Sequence, residues 1–276
     1  MRGPDPRVVL GLHRSRHERR LLTGALDLGV TALDTSTNYF GFRSHRILAG
    51  IADDLLPKFT VSTKVGYFPG PGGAEHSLDP LRLTSAVEDV AKDLGREPDL
   101  VFLHNPERSL RETGPHHEEA LAAACTALED ATEKGLCAAW GVASWDPSPL
   151  LSLVVVVRAG LLVGAKTLDA SDTLVDAWDL NRGEVWGMGA FGGSTSAPVW
   201  DKVDPRLFLQ DVGWFSPVQA AFRTAYHLPR VASIAVGTDE PAHLRELLGA
   251  LAGQVEERTV QEYRRLLRVR TRDHPV

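Results

Sequence analysis

Short runs of Val, Ile, Leu and Ala recur along this chain, each followed by an amphipathic stretch, and this alternation restricts the fold more than anything else in the sequence. Arg7–Leu12, Val30–Thr35, Phe59–Val65, Leu100–His104 and Ala138–Ala143 have the length and apolar character of buried strands. Between them, His17–Leu28 carries Leu21, Leu22, Ala25 and Leu28 on one helical face, and Ser44–Leu55 follows as a second helix. Pro80–Leu94 is predicted helical, with Pro in its first turn and Gly95 just past its end, and Gly135 closes His116–Lys134. Beyond Trp145 the pattern predicts a short helix over Pro147–Leu153, then a strand at Val154–Arg158, with Leu161–Ala165 as another option. A helix over Thr173–Leu180 precedes a strand at Glu184–Ala190. Helices over Gln219–His227, Pro241–Leu251 and Glu256–Val269 surround a strand at Val231–Val236.

Near-continuous apolar strands alternating with helices mean a parallel sheet covered by helices. Eight such units in roughly 250 residues fit an α/β (β/α)8 TIM barrel. Residues 1–276 read as one domain with an additional C-terminal helix. A doubly wound open sheet is the competing architecture, but Gly11-Leu12-His13-Arg14-Ser15-Arg16 lacks the glycine turn that such a sheet uses after its first strand. The net charge of −6, without a basic block, leaves no footprint for nucleic acid and no patch for a membrane surface. The longest apolar run, Leu150–Val157, stops at Arg158, too short to span a bilayer, and no apolar signal segment follows Met1. Cys125 and Cys137 both fall inside regular segments, which argues against a disulfide framework or a cysteine zinc site. The expectation is a cytoplasmic enzyme or small-molecule binder.

Four strand ends carry groups able to do chemistry. Asp34 ends the second strand, Tyr39 follows five residues later, Lys64 ends the third strand and His104 the fourth. In a barrel all four face one mouth. An ammonium at the end of an apolar strand is costly unless paired, and Asp34 on the neighbouring strand is its natural partner. A buried cation beside a phenol favours the phenolate, so Tyr39 is expected to have a lowered pKa and to exchange a proton with a substrate oxygen. His104 is placed to donate a hydrogen bond to the same oxygen. Taken singly, each has a plainer reading: a turn for Asp34-Thr35-Ser36, a rim aromatic for Tyr39, a structural histidine, a structural ion pair. Their joint occurrence on three successive strands favours the chemical one. His45, His116 and His117 have no metal-site arrangement and read as solvated or locally hydrogen-bonded. Tyr67, Phe68, Trp145, Phe191, Trp200 and Trp214 fall in predicted loops near the mouth.

With these residues in view, the chain resembles the aldo-keto reductase family. Gly29-Val-Thr-Ala-Leu-Asp34-Thr-Ser-Thr-Asn-Tyr39, followed by Ser44 and Leu48-Ala-Gly50, is similar to that family's Gly-x-x-x-x-Asp-Thr-Ala-x-x-Tyr-Gly signature. Val61-Ser-Thr-Lys64-Val and Asp99-Leu-Val-Phe-Leu-His104-Asn-Pro are similar to its lysine and histidine strands. Gly135–Ser144 and the segment from Ile234 to Arg245 resemble two further family segments. The resemblance implies a metal-free, reversible hydride transfer between a nicotinamide cofactor and a small-molecule carbonyl, with Asp34, Tyr39, Lys64 and His104 as the catalytic tetrad. It also implies cofactor contacts from Asp34, Ser144, Met188, Gly189, Phe191, Gly192, Gly237, Thr238, Asp239, His243 and Glu246. Backbone amides around Gly187, Gly189, Gly192, Gly193 and Ser194 are candidates to approach the pyrophosphate, or form an ordinary flexible loop.

The chain departs from the family pattern in several places. Ala143-Ser144 stands for the usual Ser-Asn pair, an apolar residue near Val156 for a glutamine, and Met188 for a tyrosine. The first loop, Leu12–Arg16, is short. NADP(H) is the cofactor that the resemblance implies, with NAD(H) as the alternative, because Asp239 and Glu240 follow Gly237-Thr238 where a phosphate clamp would be basic. Two rival functions remain: a non-catalytic nicotinamide-binding barrel acting as a redox sensor or regulatory subunit, and a lyase or isomerase that uses Lys64 as a Schiff-base amine.

Overall fold

The computed structural model describes residues 7–111, 117–150, 154–177, 185–211 and 213–273. Eight parallel strands close into a barrel: β1 (Val8–Gly11), β2 (Ala32–Asp34), β3 (Thr60–Val65), β6 (Leu100–His104), β7 (Ala139–Ala143), β8 (Val154–Arg158), β9 (Trp186–Met188) and β10 (Ser233–Gly237). Around the ring the order is β1-β10-β9-β8-β7-β6-β3-β2. A separate antiparallel hairpin joins β4 (Tyr67–Gly70) to β5 (Gly73–His76) directly after β3. The helices are α1 (Arg19–Asp27), α2 (Ser44–Ala52), α3 (Pro80–Leu94), α4 (Glu107–Leu110), α5 (His117–Glu133), α6 (Ala165–Ala177), α7 (Pro217–Ala225), α8 (Pro241–Ala250) and the added C-terminal α9 (Glu257–Asp273). Among the described residues no helix is long and apolar enough to cross a membrane.

Contacts concentrate in two compact units. The first comprises 1–144, 153–156 and 235–241; the second comprises 145–152, 157–234 and 242–276. In the first, parallel register sets Gly11 beside Asp34, Asp34 beside Ser62, Lys64 beside Phe102, and His104 beside Ala143. Side chains alternate along a strand, so Ser62 and Lys64 share one face of β3, opposite the Asp34 end of β2. Helix α3 has the bounds that its sequence predicts. Asp79 caps it by accepting from the Arg82 amide at 2.9 Å, Pro80 opens it, and Gly95 ends it in the left-handed conformation at φ 72°. Its buried stripe is Leu83, Val87, Val90 and Leu94.

The second unit has a different interior. Leu161, Val163, Leu168, Phe208, Leu209, Ala220, Leu228, Val255 and Val260 form one apolar cluster, with Trp200, Phe215 and Tyr263 packed against it. Ser216 and Gln219 form a reciprocal capping box at the start of α7, with bonds of 3.2 and 2.9 Å. Gly160 has φ 112°, and an added Cβ would lie 2.6 Å from the Ala190 carbonyl oxygen, so no side chain fits there.

Two expected helices and one alternative strand need correction, all beyond Trp145. Residues 147–150 form a turn rather than the start of a helix, and 151–153 lie outside the described residues. Leu161–Ala165 is not a strand: the Val163 amide turns back to the Gly160 carbonyl at 3.1 Å. Helix α6 then begins at Ala165, eight residues before its predicted start at Thr173, while 178–180 lie outside the described residues. The helical spacing that governs it, Leu168, Ser171 and Leu174, is interrupted by a polar residue, which hid its first turns. The hairpin β4–β5 and the short α4 were not expected. Pro69-Gly70-Pro71-Gly72-Gly73 is the turn signal that marks the hairpin.

Candidate active site

The site is built on the ends of β2, β3 and β6, all in the first unit. Lys64 is 3% exposed and Asp34 7% exposed. The Lys64 Nζ donates to Asp34 Oδ2 at 2.5 Å and to the Thr35 carbonyl at 2.9 Å. Ser62 Oγ donates to the other Asp34 oxygen at 2.9 Å. The carboxylate is therefore fixed from both sides before it meets anything else. The turn after β2 is tied down by Thr37, whose amide and hydroxyl both donate to the Lys64 carbonyl at 3.1 Å. That anchoring brings the half-buried Tyr39 ring to 5.2 Å from Lys64 Nζ.

His104 closes the group. Its Nδ1 lies 3.1 Å from Ser36 Oγ, and its ring meets Tyr39 edge-on at 6.4 Å and Tyr67 edge-on at 4.9 Å. Behind it, His76 Nε2 donates to the His104 carbonyl at 2.7 Å while His76 Nδ1 accepts from Ser109 Oγ at 2.7 Å. This fixes the hairpin to the end of β6. On the other side of the phenol, the His13 ring lies 5.1 Å from Tyr39 and tilted by 51°.

Burial and charge set the protonation states. Burial opposes the Lys64 ammonium, but the Asp34 and Tyr39 charges and hydrogen bonds outweigh it, so the amine is held above its ordinary value. Burial also pushes the Tyr39 phenol above its ordinary value, and Lys64 offsets only part of that rise. This corrects the expectation of a lowered phenol: desolvation wins over the cation. Burial, followed by Lys64, His76 and His13, holds His104 well below its ordinary value, so the imidazole is neutral near pH 7. His13 is lowered for related reasons, burial first and then Arg14 and Lys64.

A second layer of polar groups lies beneath. His17 Nε2 is 2.6 Å from Ser44 Oγ, which is 2.6 Å from Thr35 Oγ1. His45 is buried, bonded to Thr63 Oγ1 at 2.8 Å, and lowered by burial to about 4; it is locally hydrogen-bonded rather than solvated. His116 lies outside the described residues.

The tetrad expected from sequence is thus brought together. The other candidate positions divide between the units. In the first, Ser144 is fully buried and its amide donates to the Val156 carbonyl at 3.0 Å. Gly237 ends β10, and Thr238 Oγ1 accepts from the Glu240 amide at 3.1 Å. Asp239 accepts from the Arg16 amide at 2.8 Å and pairs with its guanidinium at 3.3 Å, while Glu240 pairs with Arg20 at 2.9 Å. In the second unit, Met188 ends β9, Gly189 and Gly192 have φ of 71° and 62°, and Phe191 stacks on Phe222 at 6.4 Å. His243 and Glu246 lie on α8, and Glu246 accepts from Ser216 Oγ at 2.6 Å. Strand β8 ends on Arg158, whose guanidinium lies 5.3 Å from the Trp145 ring.

Sequence reasoning missed His13, Ser36, Ser62, His76 and the two arginines on Asp239 and Glu240, and named Tyr67 only as one of several aromatics near the mouth. For Ser62 a signal was available, because it stands two residues before Lys64 on a strand and therefore on the same face. His13 and Arg16 sit in a loop whose path no local pattern sets.

Comparison with known proteins bears on the family and the fold. The model of the aldo/keto reductase family matches residues 13–159. The L-glyceraldehyde 3-phosphate reductase of Escherichia coli (strain K12) is 29% identical to this chain, over 55% of the chain and 46% of that protein. The match therefore spans about half the length of that curated relative. The aldo-keto reductase AKR11C1 from Bacillus halodurans, in its holo form, superposes with a TM-score of 0.73 at 17% identity, covering 95% of this chain and 91% of its own. The thermostable aldo-keto reductase Tm1743, in complex with the inhibitor epalrestat, gives 0.67 at 20% identity, covering 95% and 94%. At such identities these two structures bear on the fold.

Proposed function

The chain belongs to the aldo/keto reductase family, and on that premise we propose that it is an NAD(P)H-dependent reductase of aldehydes or ketones in which Tyr39 is the proton donor. One observation carries the reading: a buried ion pair of Asp34 and Lys64 lies beneath a phenol that stands edge-on to a neutral histidine. The nicotinamide, when bound, supplies the hydride that reduces the carbonyl carbon. As that carbon gains the electron pair, its oxygen takes the Tyr39 proton and the alcohol forms. A raised phenol pKa keeps Tyr39 protonated at neutral pH, ready to donate, and the Lys64 ammonium stabilises the phenolate left behind. His104, neutral and held in place by the contact of its Nδ1 with Ser36 Oγ, stands beside the phenol and can hold the same oxygen. Asp34 fixes the position of Lys64.

The same contacts weigh against a Schiff base. An amine held in its charged form and donating to both Asp34 and the Thr35 carbonyl is a poor nucleophile.

The residues present suit a nicotinamide cofactor. Gly189, Gly192 and Gly193 hold the turn after β9 in left-handed conformations at φ of 71°, 62° and 104°, a glycine-rich backbone of the kind a pyrophosphate can approach. Asp239 is able to accept from a free ribose 2′-hydroxyl, whereas Arg16 and Arg20 offer cations for a 2′-phosphate. This supports NADP(H), with NAD(H) as the alternative. Kinetics with both cofactors are expected to differ by less than about a hundredfold, and Arg16→Ala to shift the ratio toward NADH. The free thiols Cys125 and Cys137 suit the cytoplasm. The curated relative is named for L-glyceraldehyde 3-phosphate, so small aldehydes come first in a substrate screen. The test is oxidation of NADPH or NADH by the protein with a panel of carbonyls, the alcohol product identified. Cofactor consumption matched one-for-one by alcohol is expected; binding of cofactor with no turnover on any carbonyl would favour the regulatory reading instead.

A further inference from the structure

The loop after β6 carries two polar side chains that the chemistry above does not use. Arg108 is exposed, and its guanidinium lies 5.5 Å from the ring of Tyr67, the same ring that touches His104. Most arginines around it in the first unit face a carboxylate: Arg19 meets Asp54, Arg82 meets Glu75, Arg96 meets Asp99. Among the described residues Arg108 has no such partner. Glu107 is adjacent in α4, but consecutive helical residues do not face each other. Arg14 and Arg43, also exposed and without a carboxylate, occupy the loops after β1 and β2. Three exposed arginines without a carboxylate partner thus lie in the loops after β1, β2 and β6 of a chain whose net charge is −6.

Asn105 supplies the second observation. It is 7% exposed, directly follows His104, and holds a left-handed backbone at φ 52°. Its amide nitrogen is 3.5 Å from the Tyr67 hydroxyl, and its Oδ1 is buried without a partner. Turning the carboxamide by 180° lets the Tyr67 hydroxyl donate to Oδ1 and presents the NH2 where the orphaned oxygen stood. A buried donor of this kind needs an acceptor, which an anion bound there would supply.

We propose that Arg108 and Asn105 form an anion-binding subsite beside His104, so that the preferred substrates are aldehydes or ketones carrying a carboxylate or phosphate. This rests on the reductase reading for its catalytic part but not for its binding part. The guanidinium supplies a fork of donors that matches either anion, and Tyr67 holds it in place by cation–π contact. The uncompensated arginines raise the local concentration of such substrates.

The test separates binding from turnover. Glycerol 3-phosphate and 4-hydroxybutyrate cannot react with reduced cofactor, so each is titrated calorimetrically into the NADPH-loaded protein, with 1-butanol as the neutral control. Wild type is expected to bind the anionic alcohols more tightly than the neutral one, and Arg108→Leu to weaken the anions alone by about tenfold or more. Arg108→Lys, which keeps a point charge, falls between. The tighter of the two anions shows whether phosphate or carboxylate is the better fit. Equal binding of neutral and anionic alcohols by wild type, or unchanged anion binding by Arg108→Leu, overturns the subsite. Reduction of butyraldehyde and of its carboxylate-bearing counterpart 4-oxobutanoate is measured alongside. Failure of both with anion binding intact overturns the reductase reading and leaves the subsite standing.

Discussion

The two compact units of this chain bury different things. The first buries Asp34, Lys64, His17, His45, His104, Asn105 and a set of hydroxyls, nearly all of them hydrogen-bonded. The second buries an aliphatic and aromatic cluster, and its only fully buried polar residues among those described are Ser171, Thr224 and Ser233. Buried polar groups cost stability unless every one is satisfied, whereas an apolar cluster stabilises by area alone. Polar burial concentrated in one unit is what the proposed chemistry at Tyr39 requires. The lesson is that the reactive groups are located by where the interior stops being apolar.

The largest effect expected from this contrast is at Lys64. Lys64→Met leaves the Asp34 carboxylate buried without its cation. It should cost about 3–5 kcal/mol of stability and also lower carbonyl reduction by roughly 10² to 10⁴. The double variant Asp34→Leu/Lys64→Met sharpens the point, since replacing both charges by apolar groups should return most of the stability and none of the activity. Denaturant midpoints read alongside kcat decide it. Recovery of activity in the double variant would mean that the ion pair is merely structural.

In the second unit the expectation reverses. Leu168→Ala empties part of the apolar cluster and should cost about 2–5 kcal/mol while leaving kcat per folded molecule unchanged. A large drop in kcat with the protein fully folded would break the division of labour. A smaller effect distinguishes the units by pH. Burial lowers His45 to about 4 in the folded protein, against an ordinary value of 6.5, so the unfolded chain binds the extra proton between those limits. Stability from this group is therefore complete above pH 6.5, falls as pH falls, and levels off near pH 4, a loss of up to about 3 kcal/mol. His45→Gln should make that part of the pH–stability curve shallower, with His104 and His13 still contributing, and an unchanged curve would show that His45 is not one of its sources.

How much of this was legible in the sequence also differs between the units. In the first, α3 was fully readable because Pro80 and Gly95 mark its ends, and the Asp34–Lys64 pair because both residues end adjacent strands. The direction of the Tyr39 shift was not readable: the neighbouring cation is visible in the sequence, but the desolvation that outweighs it arises only when the barrel closes. His13 and Arg16 were missed because a loop's path depends on what it packs against. In the second unit, the start of α6 was misplaced because Gly164 and the polar residues after it blur the helical period. The fold was carried by repetition, the tetrad by strand ends, and the surroundings of the tetrad by tertiary packing.

The central claim is that Tyr39 gives up its proton as the carbonyl is reduced, and a single turnover tests it most directly. Protein loaded with NADPH is mixed rapidly with excess aldehyde, and oxidation of the bound cofactor is followed in wild type and in Tyr39→Phe. The Phe variant is expected to bind NADPH as wild type does and to slow the oxidation step by about 10² to 10⁴. A Tyr39→Phe rate within twofold of wild type, with chemistry limiting in both, would contradict the assignment of Tyr39 as proton donor.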